Sequence, residues 1–235
     1  MSEPTDNVEE YRQHRFALPP GATEILLVRH GESAPAREGH PFPLVDGHGD
    51  PPLAPEGERE AELVGDRLAV ERIDAVYVTS LRRTHQTAAP LAKRLDLTPR
   101  VEADLREVRL GEWEGGLFRI RVSQGHEYAL RMWETQRWDA IPGAESTEDL
   151  ATRVRAGIER IAAAHPDGHV AAFTHGGVIG QIVAMATGSQ PFAFIDADNG
   201  SITQLVVTPQ RWIVRRFNDT AHLHPAFSIR PEPLI

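Results

Sequence analysis

The sequence predicts a three-layer α/β/α sandwich around a central, mostly parallel sheet that carries an antiparallel strand. Three observations predict it. Short apolar runs at Glu24-Ile25-Leu26-Leu27-Val28, Ala75-Val76-Tyr77-Val78 and His169-Val170-Ala171-Ala172-Phe173 read as strands buried on both faces. They alternate with segments whose apolar residues recur at helical spacing, the pattern of a sheet covered on both sides. The chain closes on two strand-like stretches, Ile202 to Val207 and Trp212 to Phe217, around a turn at Pro209-Gln210. That terminal hairpin supplies the antiparallel strand.

Each element follows from local composition. Residues 1–22 are polar and lack a clear period, so they read as an irregular N-terminal arm, and residues 23–235 read as one domain. After the first strand comes a stretch rich in Pro, Gly and His, roughly 31–54. Loops that long with no structure of their own are uncommon and often functional. Pro55-Glu56-Gly57-Glu58 opens a helix, with proline and acids in the first turn, and Ala61, Val64, Leu68 and Ala69 give its apolar face. Arg82 to Leu95 is helical in composition, with Pro90 expected to kink or interrupt it. Val101 closes a short third strand, 104–116 is a Gly-rich charged loop, and 117–138 looks helical with weak punctuation. Ser146-x-x-Asp149 resembles a capping box and opens a helix to about Ala164, and Gly176 to Ala186 forms another.

With 235 residues, 40% of them hydrophobic and 25% charged, the chain can bury a core, which excludes global disorder. Cysteine is absent. Disulfides, thiolate metal sites, iron–sulfur clusters and a thiol nucleophile are therefore excluded. The longest apolar run, Ile182 to Ala186, falls far short of the ~20 residues that span a bilayer. Met1 to Asp6 lacks the basic and apolar regions of a signal peptide, so a cytoplasmic, membrane-free protein is expected. A formal charge of −9 argues against nucleic acid or an anionic membrane as partner. It leaves room for a small anion held by a few converging arginines.

Four stretches carry chemistry. Arg29-His30-Gly31-Glu32 sits at the carboxyl end of the first strand, where open α/β sheets bind ligands. Phe173-Thr174-His175-Gly176-Gly177 repeats the arrangement, and the helix it opens points free N–H groups at an anion. Thr79-Ser80-Leu81-Arg82-Arg83-Thr84-His85-Gln86-Thr87-Ala88 again runs from a strand end into a helix, with arginines suited to phosphate oxygens. Leu105-Arg106-Glu107 and Gly111-Glu112-Trp113-Glu114-Gly115 place a glutamate on a loop where it can donate a proton. Taken singly, each has a bland alternative: a turn, a surface arginine pair or a solvated carboxylate.

In this order the four resemble the histidine phosphatase superfamily, of phosphoglycerate mutase-like fold. Arg29-His30-Gly31-Glu32 is similar to its signature, and Arg83-Thr84-x-Gln86-Thr87-Ala88 to its second element. Leu105-x-Glu107 with Gly111-x-Trp113-Glu114-Gly115 is similar to the third, and His175-Gly176-Gly177 to the fourth. Pro142-Gly143-Ala144-Glu145-Ser146 is similar to a stretch common in the phosphatase branch, and the likeness spans roughly 24–217.

The resemblance implies a phosphatase that hydrolyses small phosphate monoesters through a phosphohistidine on His30, with no metal and no cofactor. It implies catalytic roles for His30, Arg29, Arg83, His175 and Glu107, the last as proton donor and then acceptor. Glu32, Ser33 and Gly176 join Arg29, Arg83 and His175 as substrate-binding residues. Counting back from Gln86-Thr87-Ala88 selects Arg83 over Arg82, and Glu32 or Glu145 stands in reserve as the proton-handling group. The partner is a small phosphorylated metabolite; homodimers are common among such proteins, and nothing in the spacing requires one.

The chain departs from the pattern in places. Many relatives carry a phosphate-touching asparagine after the first motif, whereas this chain reads Ser33-Ala34-Pro35-Ala36-Arg37. Asp50-Pro51-Pro52-Leu53-Ala54 has alanine where threonine is usual, and residues 34–49 look like an enlarged loop. Arg37, His40, Asp46, His48 and Asp50 in and beside that loop lack metal-ligand spacing and read as solvated; Arg119, Arg121 and Arg131 are candidates for binding a second anionic group, with a solvated helix face the preferred reading. His222 and His224 read as structural or solvated. Two alternatives stay open. One is phosphoglycerate mutase-type transfer, opposed by Val108-Arg109-Leu110-Gly111 where true mutases carry Arg-His-Tyr-Gly. The other is an inactive domain that binds a phosphorylated ligand.

Overall fold

The computed structural model describes residues 11–224. Of the expected N-terminal arm, 11–22 is irregular apart from a turn, and 1–10 lies outside the described residues. The strands and helices, in chain order, are β1 (Thr23–Arg29), β2 (Leu44–Val45), β3 (His48–Gly49), α1 (Pro55–Leu68), β4 (Ala75–Val78), α2 (Arg82–Leu95) and β5 (Arg100–Val101). Then follow α3 (Leu117–Ser123), α4 (Glu127–Thr135), α5 (Thr147–Ala164), β6 (His169–Thr174), α6 (Gly176–Thr187), β7 (Ile202–Val207) and β8 (Trp212–Asp219).

Six strands form the main sheet in the order β5-β4-β6-β1-β7-β8. β5, β4, β6 and β1 run parallel, and β7 is antiparallel to both β1 and β8. Alternation along β1 explains the layers. Ile25 and Leu27 enter one core with Leu150, Val154 and Ile158 of α5 and Ile179 and Ile182 of α6. Leu26 and Val28 enter the other, with Val64 and Leu68 of α1 and Ala88 and Leu91 of α2. The three-layer α/β/α sandwich expected from the sequence is present.

Several local expectations change. The helix α2 continues through Pro90 rather than breaking there. Pro90 packs on Gly65 of α1, where a Cβ would come within 2.9 Å of it, so helix packing outweighs the one lost hydrogen bond. The 31–54 stretch is not structureless: Leu44–Val45 pairs with His48–Gly49, and isolated bridges join Ser33 to Leu53 and Arg37 to His40. The 117–138 segment is two helices, split where Gly125 takes a left-handed φ of 64°. The 104–116 loop carries two 3-10 turns, Ala103–Leu105 and Gly111–Trp113. The Ser146 cap holds as expected, its hydroxyl accepting from the Asp149 N–H. No described helix is long and apolar enough to cross a membrane.

Candidate active site

Three adjacent parallel strands end together. Arg29 pairs in register with Thr174, and Val78 with Phe173, so the next residues, His30, His175 and Thr79, emerge side by side. The rings of His30 and His175 lie with centroids 5.1 Å apart, edge to face. His30 lines a cavity of about 240 Å³ walled also by Arg29, Arg83, Glu107 and Gly176, while fully buried His175 is not among its lining residues and packs against His30. The strand-end motifs expected from the sequence therefore meet at one place.

His30 is 4% exposed, and its Nδ1 donates to the Gly31 carbonyl at 2.7 Å. That bond fixes the neutral tautomer and leaves the Nε2 lone pair free. Burial first, and then the Arg83 and Arg29 guanidinium groups, hold the His30 pKa well below the ordinary imidazole value. A neutral, aimed imidazole is what a nitrogen nucleophile requires.

His175 caps α6 and is fully buried, with its pKa likewise held well down by burial and by Arg83. Its Nε2 lies 3.1 Å from Thr79 Oγ1. That hydroxyl accepts from the Leu81 N–H and also lies 3.1 Å from Thr84 Oγ1, and where it gives its proton to Nε2 the tautomer is set. The assignment puts the ring proton on Nδ1, a buried atom with no hydrogen-bond partner among the described residues. Arg29 Nε is in the same condition, while another of its nitrogens donates to the Ala197 carbonyl. Buried donors without partners are costly in an empty site and satisfied by an anion.

Arg83, in the first turn of α2, is buried and donates to the Gly49 carbonyl at 2.9 Å. Burial pushes its pKa down to about 10, which leaves it a cation at neutral pH. Arg82 instead turns outward onto Asp50, so the register chosen from the sequence is the one the cavity uses. Glu107 faces the cavity with Oε1 accepting from the Val108 N–H. Its backbone is clamped from behind: Arg153 donates to the carbonyls of Asp104, Arg106 and Glu107. Arg153 is held in turn by both oxygens of Glu145, from the Pro142 to Ser146 stretch.

The glycines after His175 make room for neighbouring motifs. A Cβ on residue 176 would sit 3.3 Å from Arg29 Nε, and one on residue 177 only 2.8 Å from Glu107 Oε1. Glu32 and Ser33 both line the cavity. Ser33 is buried and accepts from Arg119, while Glu32 is exposed at the mouth and its N–H donates to Glu60.

Sequence reasoning missed part of the wall. Arg119 is not on a solvated helix face: it lines the cavity, donates to Ser33 Oγ and the Ala34 carbonyl, and is largely desolvated. Nothing in the weak periodicity of 117–138 distinguished it from Arg121 and Arg131. Asn199, from the α6–β7 connection, also lines the cavity and donates to the His30 carbonyl at 2.9 Å. His48 and Gly49 enter from the 31–54 hairpin; only that loop's length signalled it. His222 lies away from the cavity, its Nε2 against the Gly200 carbonyl, as a structural histidine would. Among the described residues no group of three or more acidic or histidine side chains is arranged to hold a metal ion.

Comparison with known proteins agrees with this geometry. The chain is 31% identical over 204 residues to a metal-independent phosphoserine phosphatase of Arabidopsis thaliana, covering 86% of this chain and 83% of that one. It is 29% identical to phosphoglycerate mutase-like protein 4 of the same plant, over 85% of this chain and 86% of the relative. Among solved structures, mycobacterial glucosyl-3-phosphoglycerate phosphatase superposes with a TM-score of 0.70 at 26% identity, covering 85% of this chain and 100% of that one. The family model of the histidine phosphatase superfamily (branch 1) matches residues 25–220, a span that takes in all three converging strand ends. The chain belongs to that superfamily.

Proposed function

We propose that the chain is a phosphatase that hydrolyses small phosphate monoesters by two successive transfers through His30. The observation that carries the reading is the free Nε2 of a neutral, buried His30 facing a cavity lined by Arg29, whose Nε is an unpartnered donor, and by Arg83. Nε2 attacks phosphorus, an N–P bond forms and the P–O bond to the leaving alcohol breaks. Glu107 gives a proton to the departing oxygen. Arg29, Arg83, His175 and the free N–H groups at the start of α6 neutralise the equatorial oxygens, where phosphoryl transfer gathers negative charge. Water then attacks the phosphohistidine in line, Glu107 takes its proton, and inorganic phosphate leaves.

Names of relatives support hydrolysis: phosphoserine phosphatases and glucosyl-3-phosphoglycerate phosphatase stand among them. The mutase alternative is less favoured. The positions after Glu107 that true mutases fill with polar residues are here Val108 and Leu110, two apolar wall residues. The proposal keeps one catalytic domain over 23–235 and a cytoplasmic location, and light scattering decides between monomer and homodimer.

The test is phosphate release from a panel of phosphate monoesters, with and without EDTA, including 3-phosphoglycerate with and without 2,3-bisphosphoglycerate. Release that survives EDTA supports the reading. Primer-dependent isomerisation points to a mutase, and binding without turnover points to an inactive phospho-ligand domain.

A further inference from the structure

The cavity that holds His30 also has an extensive apolar lining. All three of its arginines, Arg29, Arg83 and Arg119, are close enough to His30 to disfavour the imidazolium. The cavity is also walled by Leu110, Trp113, Phe118, Trp133, Trp138 and Ile195. Trp113, Phe118 and Trp138 form a buried floor, with ring centroids 6.2 Å (Trp113–Phe118) and 6.1 Å (Phe118–Trp138) apart. Trp133 is 40% exposed and forms the rim with half-buried Leu110 and Ile195. Phe192 ties rim to floor, its ring 5.7 Å from Trp133 and 5.0 Å from Trp138.

Two polar groups that share the cavity, Glu114 and Arg119, are engaged, and Asp196, next to Ile195, also lines it. Glu114 accepts from the N–H groups of Gly49 and Leu110 with its two oxygens. Arg119 donates to the Ala34 carbonyl and Ser33 hydroxyl. A substrate ammonium can pair with exposed Asp196, whereas charge of either sign set against the aromatic faces themselves loses water without compensation. A ring or branched hydrocarbon would bury against aromatic faces, which is favourable.

Resting on the phosphatase reading, we infer that the preferred substrates are phosphate monoesters of apolar, ring-bearing alcohols, with the hydrocarbon in the lobe formed by Leu110, Trp113, Phe118, Trp133, Trp138 and Ile195. Small zwitterionic or carboxylated esters such as phosphoserine and 3-phosphoglycerate are then poorer substrates. The reaction is unchanged by this choice: the same P–O bond breaks, and the alcohol leaves with the proton from Glu107.

The test compares 2-phenylethyl phosphate with O-phosphoserine and glycerol 3-phosphate, all primary alkyl esters, so leaving-group chemistry is nearly matched. Burial of one ring predicts kcat/KM about 10- to 100-fold higher for 2-phenylethyl phosphate. Trp133→Ala, at an exposed position, and Ile195→Asp should each shrink that preference at least fivefold, chiefly through KM. Equal or reversed preference, or a preference untouched by both variants, overturns the inference. Absence of phosphate release from every ester would count against the phosphatase reading instead. In that event calorimetric binding of 2-phenylethylphosphonate against methylphosphonate still tests the lobe: tighter binding of the first, weakened by Trp133→Ala, supports it, and equal binding overturns it.

Discussion

A Cβ on residue 177 would lie 2.8 Å from Glu107 Oε1 and 2.7 Å from a methyl of Val108, so Gly177 and Glu107 share space that only glycine leaves open. Gly177 lies in the first turn of α6, where alanine by itself is better than glycine by roughly 0.5–1 kcal/mol. Glu107 Oε1 ends a flexible side chain and can swing away, whereas the buried Val108 methyl is stiff about χ1, so Gly177→Ala should displace Glu107 and strain the local packing. We predict at least a ~10-fold fall in kcat/KM for alkyl esters, an order of magnitude that matches partial loss of general acid catalysis. The melting temperature should fall modestly from overpacking against Val108, with the fold retained by circular dichroism. Full activity in a folded Gly177→Ala protein would show that Glu107 does not need its present position.

The pH dependence follows from the two buried imidazoles. His30 and His175 both have pKa values held well below 6.5, by burial first and Arg83 next. The acid limb of kcat/KM should therefore lie below pH 6.5. Arg83→Gln removes a cation that disfavours the imidazolium, so the limb should move up, while kcat/KM falls by at least ~10²-fold. An unmoved limb would contradict the assignment. Stability has the same sign. As pH falls below 6.5 the unfolded chain takes up protons that folded His30 and His175 refuse, so stability present above 6.5 is lost through that window. Glu60, raised by burial to about 6 from 4.5, acts oppositely, because its folded carboxyl binds a proton first between those values. Two imidazoles against one carboxyl predict a net loss, read from urea unfolding at pH 7 and pH 5.5.

Arg153 holds the loop that carries Glu107, and its partner Glu145 is only 10% exposed at the side chain. Arg153→Leu leaves that carboxylate buried without its cation, which costs about 3–5 kcal/mol. Denaturant unfolding should show the loss. Glu145→Gln, which leaves no buried anion, should cost less, and the reverse order would contradict the clamp.

Much of this was legible before any coordinates. Strands such as β1 and β6 announce themselves by continuous apolar runs, and the histidines at their ends fall together because parallel strands end at the same edge. The choice between the two arginines came from the family motif, counted back from Gln86-Thr87-Ala88 to Arg83; in the structure Arg83 lines the cavity and Arg82 pairs with Asp50. Arg119 and Asn199 were not legible. Each reaches the cavity from a segment whose position is set by tertiary packing, and neither carries a local pattern that marks it. Pro90 misled for the opposite reason: a strong local rule yielded to the packing of α2 on Gly65.

Glu107→Gln keeps the shape and removes the transferable proton. The loss in kcat/KM should be larger for alkyl than for aryl phosphates, because a phenolate leaves without help, and about 10²–10⁴-fold for the alkyl esters. Equal losses would make Glu107 a positioning residue and return Glu32, exposed at the cavity mouth, as the proton carrier.

The central claim is that His30 Nε2 carries the phosphoryl group. Rapid quench at alkaline pH during turnover, followed by peptide mass analysis, should find an acid-labile phosphoryl group on the peptide containing His30. Labelling and turnover should both vanish in His30→Ala, with the fold retained by circular dichroism. A phosphoryl group on any other residue, or labelling and turnover that survive His30→Ala, would contradict the account.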